Sequence, residues 1–327
     1  MRAPGFWWRR ERGWAAWALA PVGAVVGGVT LWRMARPPRV RAPVPVYCVG
    51  NPTVGGAGKT PVALALADAL RAVGARPVFL SRGYGGALCG PVVVDRSRHG
   101  AADVGDEPLL LAQRAPAVIA RDRAAGAALA ATLGDAIVMD DGFQNPALFK
   151  DWSALLVDAA VGIGNGLATP AGPMRAPYAP QAARASVVLA VDSGEPAGVA
   201  VPGALGVRLV PEADVDLSGV RVLAFAGIGR PAKFFASAAA LGANVVERRA
   251  FGDHEVLSDA AAMALLAAAR AGGLTLLTTQ KDVARLGASE AHRSLRAAAR
   301  VVRVRAVLPD EVVSTATRLW REHTGRD

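Results

Sequence analysis

Cysteine is nearly missing from this sequence: two occur in 327 residues, Cys48 inside an apolar run and Cys89 beside Gly90. Two such thiols make neither a disulfide framework nor a zinc site, and they suit a reducing compartment. Charged residues are sparse at 20% while 52% are hydrophobic, which excludes an intrinsically disordered chain. There is no repeat of fixed period, no aromatic recognition motif and no helix-turn-helix pattern, so no nucleic-acid partner is expected. Acidic residues are outnumbered, 27 against 37 Lys and Arg, and the net charge of +10 favours an anionic partner. Only four of the basic residues are lysines, at positions 59, 150, 233 and 281, so a lysine inside a motif stands out.

What is present begins with an uncharged stretch from Gly13 to Trp32. About twenty helical residues reach ~30 Å, the hydrocarbon thickness of a bilayer. Pro21, Gly23, Gly27 and Gly28 weaken that helix, and arginines flank both ends, so no orientation follows. Trp7, Trp8, Trp14, Trp17 and Trp32 suit a membrane interface. The segment is expected to be an amphipathic anchor on a membrane surface, with a signal peptide or a buried core helix as alternatives.

After a proline-rich joint from Arg36 to Pro43, short apolar runs alternate with Ala/Leu-rich helical stretches: Val44 to Val49, Pro77 to Leu80, Ala117 to Ala120, Ala136 to Met139, Ala154 to Val157 and Ser186 to Val191. Residues 193–219 read as an irregular Gly/Pro/Asp/Glu link, and alternation then resumes with Val220 to Ala226, Asn244 to Val246, Leu274 to Thr278 and Val301 to Val307. The fold expected is α/β: a P-loop NTPase-like parallel-sheet domain with a second, smaller α/β domain and an N-terminal membrane-associated helix. Boundaries are expected at 1–36, 37–215 and 216–327.

The strongest local signal follows the first apolar run. Thr53-Val54-Gly55-Gly56-Ala57-Gly58-Lys59-Thr60 stands between a strand and an Ala/Leu helix, the context of a phosphate-binding loop. Glycines let backbone N–H groups curl round phosphate oxygens, the helix start adds its dipole, Lys59 reaches the terminal phosphates and Thr60 can ligate Mg²⁺. Thr53 occupies the place where the motif has its first glycine. Asp140 and Asp141, at the end of another apolar run, supply the acidic partner such a site needs for the metal; their alternative is to cap a following helix. Hydrolysis for work, a switch and phosphoryl transfer stay open on these residues. In Thr279-Gln280-Lys281-Asp282 the lysine and aspartate are adjacent, which is the wrong spacing for guanine recognition by a GTP switch.

Further runs then become informative together. Asn51 to Pro61, Leu80 to Gly86, Val104 to Pro108, Asp140 to Gln144, Gly164 to Gly166 with Pro170 to Arg175, Phe251 to His254 and Thr278 to Asp282 occur in an order that resembles the tetraacyldisaccharide 4′-kinases of lipid A synthesis. The resemblance runs from the N-terminal anchor to about Leu286. It implies transfer of the ATP γ-phosphoryl group, with Mg²⁺, to the 4′-hydroxyl of a tetraacylated disaccharide 1-phosphate, giving lipid IV-A. It also implies a place on the cytoplasmic face of a Gram-negative inner membrane, where a basic protein meets an anionic leaflet.

By its residues alone Asp106 reads equally as a helix N-cap or as a base. The resemblance implies a base, paired with His254 across an interdomain cleft. Arg82 and Arg175 are expected to clamp phosphates, and Gln144 and Asn165 to hydrogen-bond sugar or water. Asn145 and Gln280 depart from the histidine and glutamate common in that family.

Overall fold

The computed structural model describes residues 4–9, 11–192, 194, 198–253 and 255–325. After a 3₁₀ turn (Gly5–Trp8) and the long helix α1 (Trp14–Met34) come β1 (Val46–Gly50), α2 (Lys59–Ala72), β2 (Pro77–Ser81), β3 (Val92–Val93), α3 (Ala101–Val104), α4 (Asp106–Leu111), β4 (Ala117–Ile119), α5 (Arg123–Ala131), β5 (Ala136–Asp140), β6 (Trp152–Asp158), α6 (Tyr178–Ala182) and β7 (Val187–Asp192). The remainder comprises β8 (Leu205–Ala213), β9 (Arg221–Ala226), α7 (Pro231–Ala240), β10 (Asn244–Ala250), α8 (Asp259–Gly272), β11 (Thr275–Thr279), α9 (Gln280–Arg285), α10 (Glu290–Ala298), β12 (Arg300–Val307) and α11 (Asp310–Thr324).

These strands form one twelve-stranded sheet in the order β10-β9-β11-β12-β8-β7-β6-β1-β5-β2-β4-β3. Strands β1, β2, β5 and β6 are buried at every position, as expected where helices cover both faces of a parallel sheet. Two pairings are antiparallel: the edge strand β3 on β4, and β12 on β8. The second reverses strand direction between the two halves of the sheet.

Strand β8 corrects the expected irregular link over 193–219. It pairs with β7 through Leu205–Arg208 and with β12 through Arg208–Ala213. Gly206, Pro211 and Glu212 argue against a strand in the sequence. Pro211 lies beyond the β7 pairing, where β8 is paired on one side only, a position that tolerates proline better than one flanked on both sides.

The expected boundary at 216 also needs correction at its far end. Val312, Ala316 and Trp320 of α11 belong to the core formed by β1, α2 and their neighbours. The Tyr47 hydroxyl donates to Ala316 O (2.8 Å) and Trp320 Nε1 to Asp135 Oδ1 (3.2 Å). The chain therefore ends by returning to its first half. Separate apolar clusters cover the two faces of the β9-β10-β11 region.

Helix α1 runs unbroken through Pro21, and among the described residues it is the one helix long and apolar enough to cross a membrane. It is not amphipathic as expected, being apolar on its outward faces too. Its buried residues are small, Ala16, Gly23 and Gly27. A Cβ on Gly23 would lie 2.5 Å from Ala168 O, and one on Gly27 3.0 Å from the Ala168 side chain. These glycines, which weaken the helix, are what let it lie against the 168–177 loop. Trp14, Trp17, Val22, Val25, Val29 and Trp32 remain exposed, which excludes a buried core helix.

Candidate active site

The candidate phosphate loop takes its shape from the elements beside it. Strand β1 ends at Gly50, where a Cβ would come within 2.4 Å of Phe143 Cβ, so the turn after β5 packs directly on the loop's entry. At the exit Gly58 is left-handed (φ 77°) and a Cβ there would press on Leu209 and Val191, which only glycine avoids. Thr53 forms a bridge with Met174, and Val54 N donates to Pro173 O (2.7 Å). A threonine in place of the motif's glycine is accommodated because this position is extended and paired, not left-handed.

Lys59 and Thr60 open α2 and are nearly buried. Lys59 Nζ donates to Asn51 Oδ1 (3.1 Å) and Gly55 O (3.3 Å) and stands 3.8 Å from Asp141 Oδ2. Thr60 Oγ1 donates to Asp140 Oδ2 (3.0 Å). Arg175 reaches the same cluster, with Nη2 on Asp141 Oδ2 (2.9 Å), Nε on Thr53 O (3.1 Å) and Nη1 on Gln144 Oε1 (3.4 Å). Gln144 Nε2 in turn donates to Asn51 O (2.9 Å) and Gln181 Oε1 (2.8 Å). Lys59, Thr60, Asp140, Asp141, Gln144 and Arg175 are thus one network around the loop.

The carboxylates show what the network can hold. No helix begins directly after Asp141, which removes the capping alternative. Asp140 Oδ1 and Asp141 Oδ1 are buried with no hydrogen-bond partner among the described residues. Buried hard oxygens of this kind, beside a threonine hydroxyl, fit Mg²⁺. No three His, Cys, Asp or Glu side chains converge among the described residues. Mg²⁺ is commonly held by one or two carboxylates plus substrate phosphates and water.

Burial, reinforced by Glu107 and opposed by Lys59, pushes the Asp140 carboxyl up to about 7. Burial acts on Asp141 as well, but Lys59 and Arg175 outweigh it and hold that carboxyl below the usual range. The native protein without nucleotide and metal therefore binds one more proton at Asp140 than the unfolded chain between about pH 4 and about 7. Its stability falls as pH rises through that window. Asp140→Asn removes this slope: thermal melts in chelator should show the variant gaining on the parent from pH 5 to pH 8. Equal melting shifts at both pH values would refute this account.

Asp106 opens α4 next to Glu107, whose charge acts on Asp140. Gly105, not Asp106, is the N-cap residue, and no side chain caps this helix, so the capping alternative for Asp106 is not what the structure shows. Asp106 Oδ1 accepts the Glu107 amide (3.0 Å), while Oδ2 accepts Arg285 Nε (3.0 Å) and Nη2 (2.5 Å) from α9. Lys281, on the same helix, donates to Glu107 Oε1 (2.7 Å). Burial would lower the Lys281 ammonium, but Glu107, Asp106 and Asp140 prevail and hold it above the usual lysine range.

Other expected residues lie apart. His254 is outside the described residues. Arg82 is exposed just after β2. Asn165 is buried and its amide serves its own loop, with Nδ2 on Ala171 O (2.9 Å) and Oδ1 accepting Leu167 N (3.0 Å). Its backbone holds the N-terminal segment, accepting from Arg12 Nε (3.1 Å) and donating to Trp7 O (2.8 Å). Asn145 caps its own turn by accepting Ala147 N (2.8 Å). Three residues to which the motifs give no role, Asn51, Gln181 and Arg285, join these networks. Their signals in the sequence are slight: Asn51 lies in the run from Asn51 to Pro61, and Arg285 follows Lys281 by one helical turn.

Comparison with known proteins covers nearly the whole chain. The family described as tetraacyldisaccharide-1-P 4′-kinase matches over residues 15–320. A tetraacyldisaccharide 4′-kinase of Methylobacterium nodulans is 56% identical over 300 residues, 88% of each chain. One from Rhodopseudomonas palustris (strain HaA2) is 51% identical over 301 residues, 89% of this chain and 88% of the other. The crystal structure of LpxK from Aquifex aeolicus in complex with ATP superposes with a TM-score of 0.74 at 25% identity, covering 93% of this chain and 99% of that one.

Proposed function

The chain belongs to the tetraacyldisaccharide 4′-kinase family, and from that premise we propose how its residues carry out the family's reaction. It is an ATP-dependent kinase that phosphorylates the 4′ position of tetraacyldisaccharide 1-phosphate to form lipid IV-A in lipid A biosynthesis. The observation that carries the residue assignment is the convergence of Lys59, Thr60, Asp140, Asp141 and Arg175 on the loop from Thr53 to Gly58, with Asp106 and Asp140 both within electrostatic reach of Lys281.

In this reading, amides from Thr53 to Thr60 cradle the phosphates, and Lys59 turns from Asn51 and Gly55 to the terminal ones. Arg175 steadies the loop through Thr53 O and adds positive charge. Thr60, Asp140 and Asp141 would hold Mg²⁺, which when bound neutralises charge on the phosphates. Asp106 accepts the proton of the 4′-hydroxyl as its oxygen bonds to the γ-phosphorus and the bond to the β–γ bridging oxygen breaks, leaving ADP. Transfer needs mostly alignment and charge neutralisation, which a preformed network supplies. Arg82, Gln144 and Asn165 contribute differently. Arg82 is the exposed candidate for a substrate phosphate, whereas Gln144 and Asn165 shape the loops that face the acceptor.

The glycolipid reaches this site from a membrane. Helix α1 presents exposed Trp14, Trp17 and Trp32, with Arg12 over the Trp17 ring and Arg36 over the Trp32 ring (3.9 Å), the composition of an interface anchor. A basic protein so anchored belongs on the anionic cytoplasmic face of a bacterial inner membrane, where ATP is available.

With Mg·ATP and the disaccharide 1-phosphate in mixed micelles, mass spectrometry should show a product carrying one added phosphate. Chelating the metal should abolish it. Folded, ATP-binding protein that yields no such product would overturn the reading.

A further inference from the structure

Helix α9 reaches across from the second half of the sheet with two cations. Lys281 and Arg285 are one helical turn apart and share a face, opposite the adjacent carboxylates Glu107 and Asp106 that open α4. Arg285 and Asp106 are each 5% exposed, so this is a desolvated pair and not a surface bridge of little consequence. Arg285 also has anchors of its own. Its Nη1 donates to Gly227 O (2.5 Å) and Asp282 Oδ1 (3.3 Å). Asp282 is itself fixed, with Oδ1 accepting Gly227 N (2.9 Å) and Oδ2 accepting the Thr279 hydroxyl (2.6 Å). The guanidinium is therefore set by the ends of β9 and β11 as well as by Asp106.

We propose that Arg285 is a positioning residue for the transfer reaction: it fixes the carboxylate plane of Asp106 and makes that orientation conditional on docking of the second half. Two N–H groups on Oδ2 and one amide on Oδ1 leave the carboxylate no freedom to rotate. A base must meet the hydroxyl in one geometry, and misplacement by about 1 Å costs on the order of a hundredfold. Nothing in the sequence motifs assigned Arg285 a part. The inference rests on Asp106 being the base.

Arg285→Gln is expected to lower kcat about a hundredfold, with KM for ATP and for glycolipid each changed by less than about threefold. Arg285→Ala should recover part of its turnover when tens of millimolar guanidinium is added, which general loss of structure would not allow. Should both variants melt below the assay temperature, Arg285→Lys carries the test, because a cation of shorter reach should lose at least about tenfold in kcat with both KM values held. A kcat within about threefold of the parent, or a loss that follows KM for ATP and ignores guanidinium, overturns the proposal. Asp106→Asn, assayed alongside, separates the two ideas. If Asp106→Asn is inactive while Arg285→Gln is not, the base stands and the positioning role falls. If Asp106→Asn stays active, the base reading falls and takes the proposal with it.

Discussion

Asn in place of Asp106 should lower kcat by about a thousandfold while leaving ATP affinity within about threefold of the parent. The loss corresponds to ~4 kcal/mol of transition-state stabilisation, within what a positioned general base contributes. Asparagine keeps the size but only one acceptor oxygen, so it retains either the Arg285 contact made at Oδ2 or the Glu107 amide contact made at Oδ1, while Lys281 on Glu107 still ties α4 to α9. What it cannot do is take a proton. ATP affinity is spared because Asp106 lies on α4, whereas the phosphate loop is held by Asn51, Asp141 and Arg175. Turnover numbers beside titration with a fluorescent ATP analogue check this. A variant that turns over within about tenfold of the parent would assign the proton to another group.

Lys59→Ala should instead impair both quantities, with ATP bound at least about tenfold more weakly and kcat lower by two to three orders of magnitude, on the order of what one charge-stabilising donor supplies. Lys59 is 9% exposed and its Nζ is held by Asn51 Oδ1 and Gly55 O, the partners it exchanges for phosphate oxygens when ATP binds. Removing it also withdraws one of the two cations nearest Asp141, leaving Arg175. Lys59→Arg should not restore activity, because a planar guanidinium does not fit the space between Asn51 Oδ1 and Gly55 O that a compact ammonium occupies. Isothermal titration with ATP, run beside the turnover assay, decides the matter. Unchanged ATP affinity in Lys59→Ala would remove the lysine from the phosphate site. The contrast between the two variants, one blind to ATP and one not, separates the proton-transfer side of the site from the phosphate side.

Several features were legible because their causes are local. Strands β1, β2, β5 and β6 read as apolar runs because both of their faces are covered. Left-handed turns at Gly55 and Gly58 demand glycine, so the loop announces itself. A carboxylate pair at the end of an apolar run is likewise visible, since strand and turn lie within a few residues of each other. Seven residues from Leu80 to Gly86, or five from Val104 to Pro108, could be matched to a family only as strings. Their spatial roles were not in the strings.

The sequence by itself determined the α/β alternation, the glycine-rich turn with its lysine and threonine between β1 and α2, the aspartate pair and the apolar N-terminal helix, because each is written in neighbouring residues through periodicity, glycine conformation or length. Tertiary structure alone decided the rest. Strand β8 exists because β7 and β12 pair with it despite Gly206 and Pro211, and α11 belongs to the first half because Trp320 and Ala316 find their core there. The seam of α1 was set by where Ala168 lies, and Arg285, one arginine among many, acquired its partner 179 positions away through the folding of one half of the sheet onto the other. Contacts of that range depend on how layers pack, and packing is a property of the assembled surfaces that no short window of sequence contains.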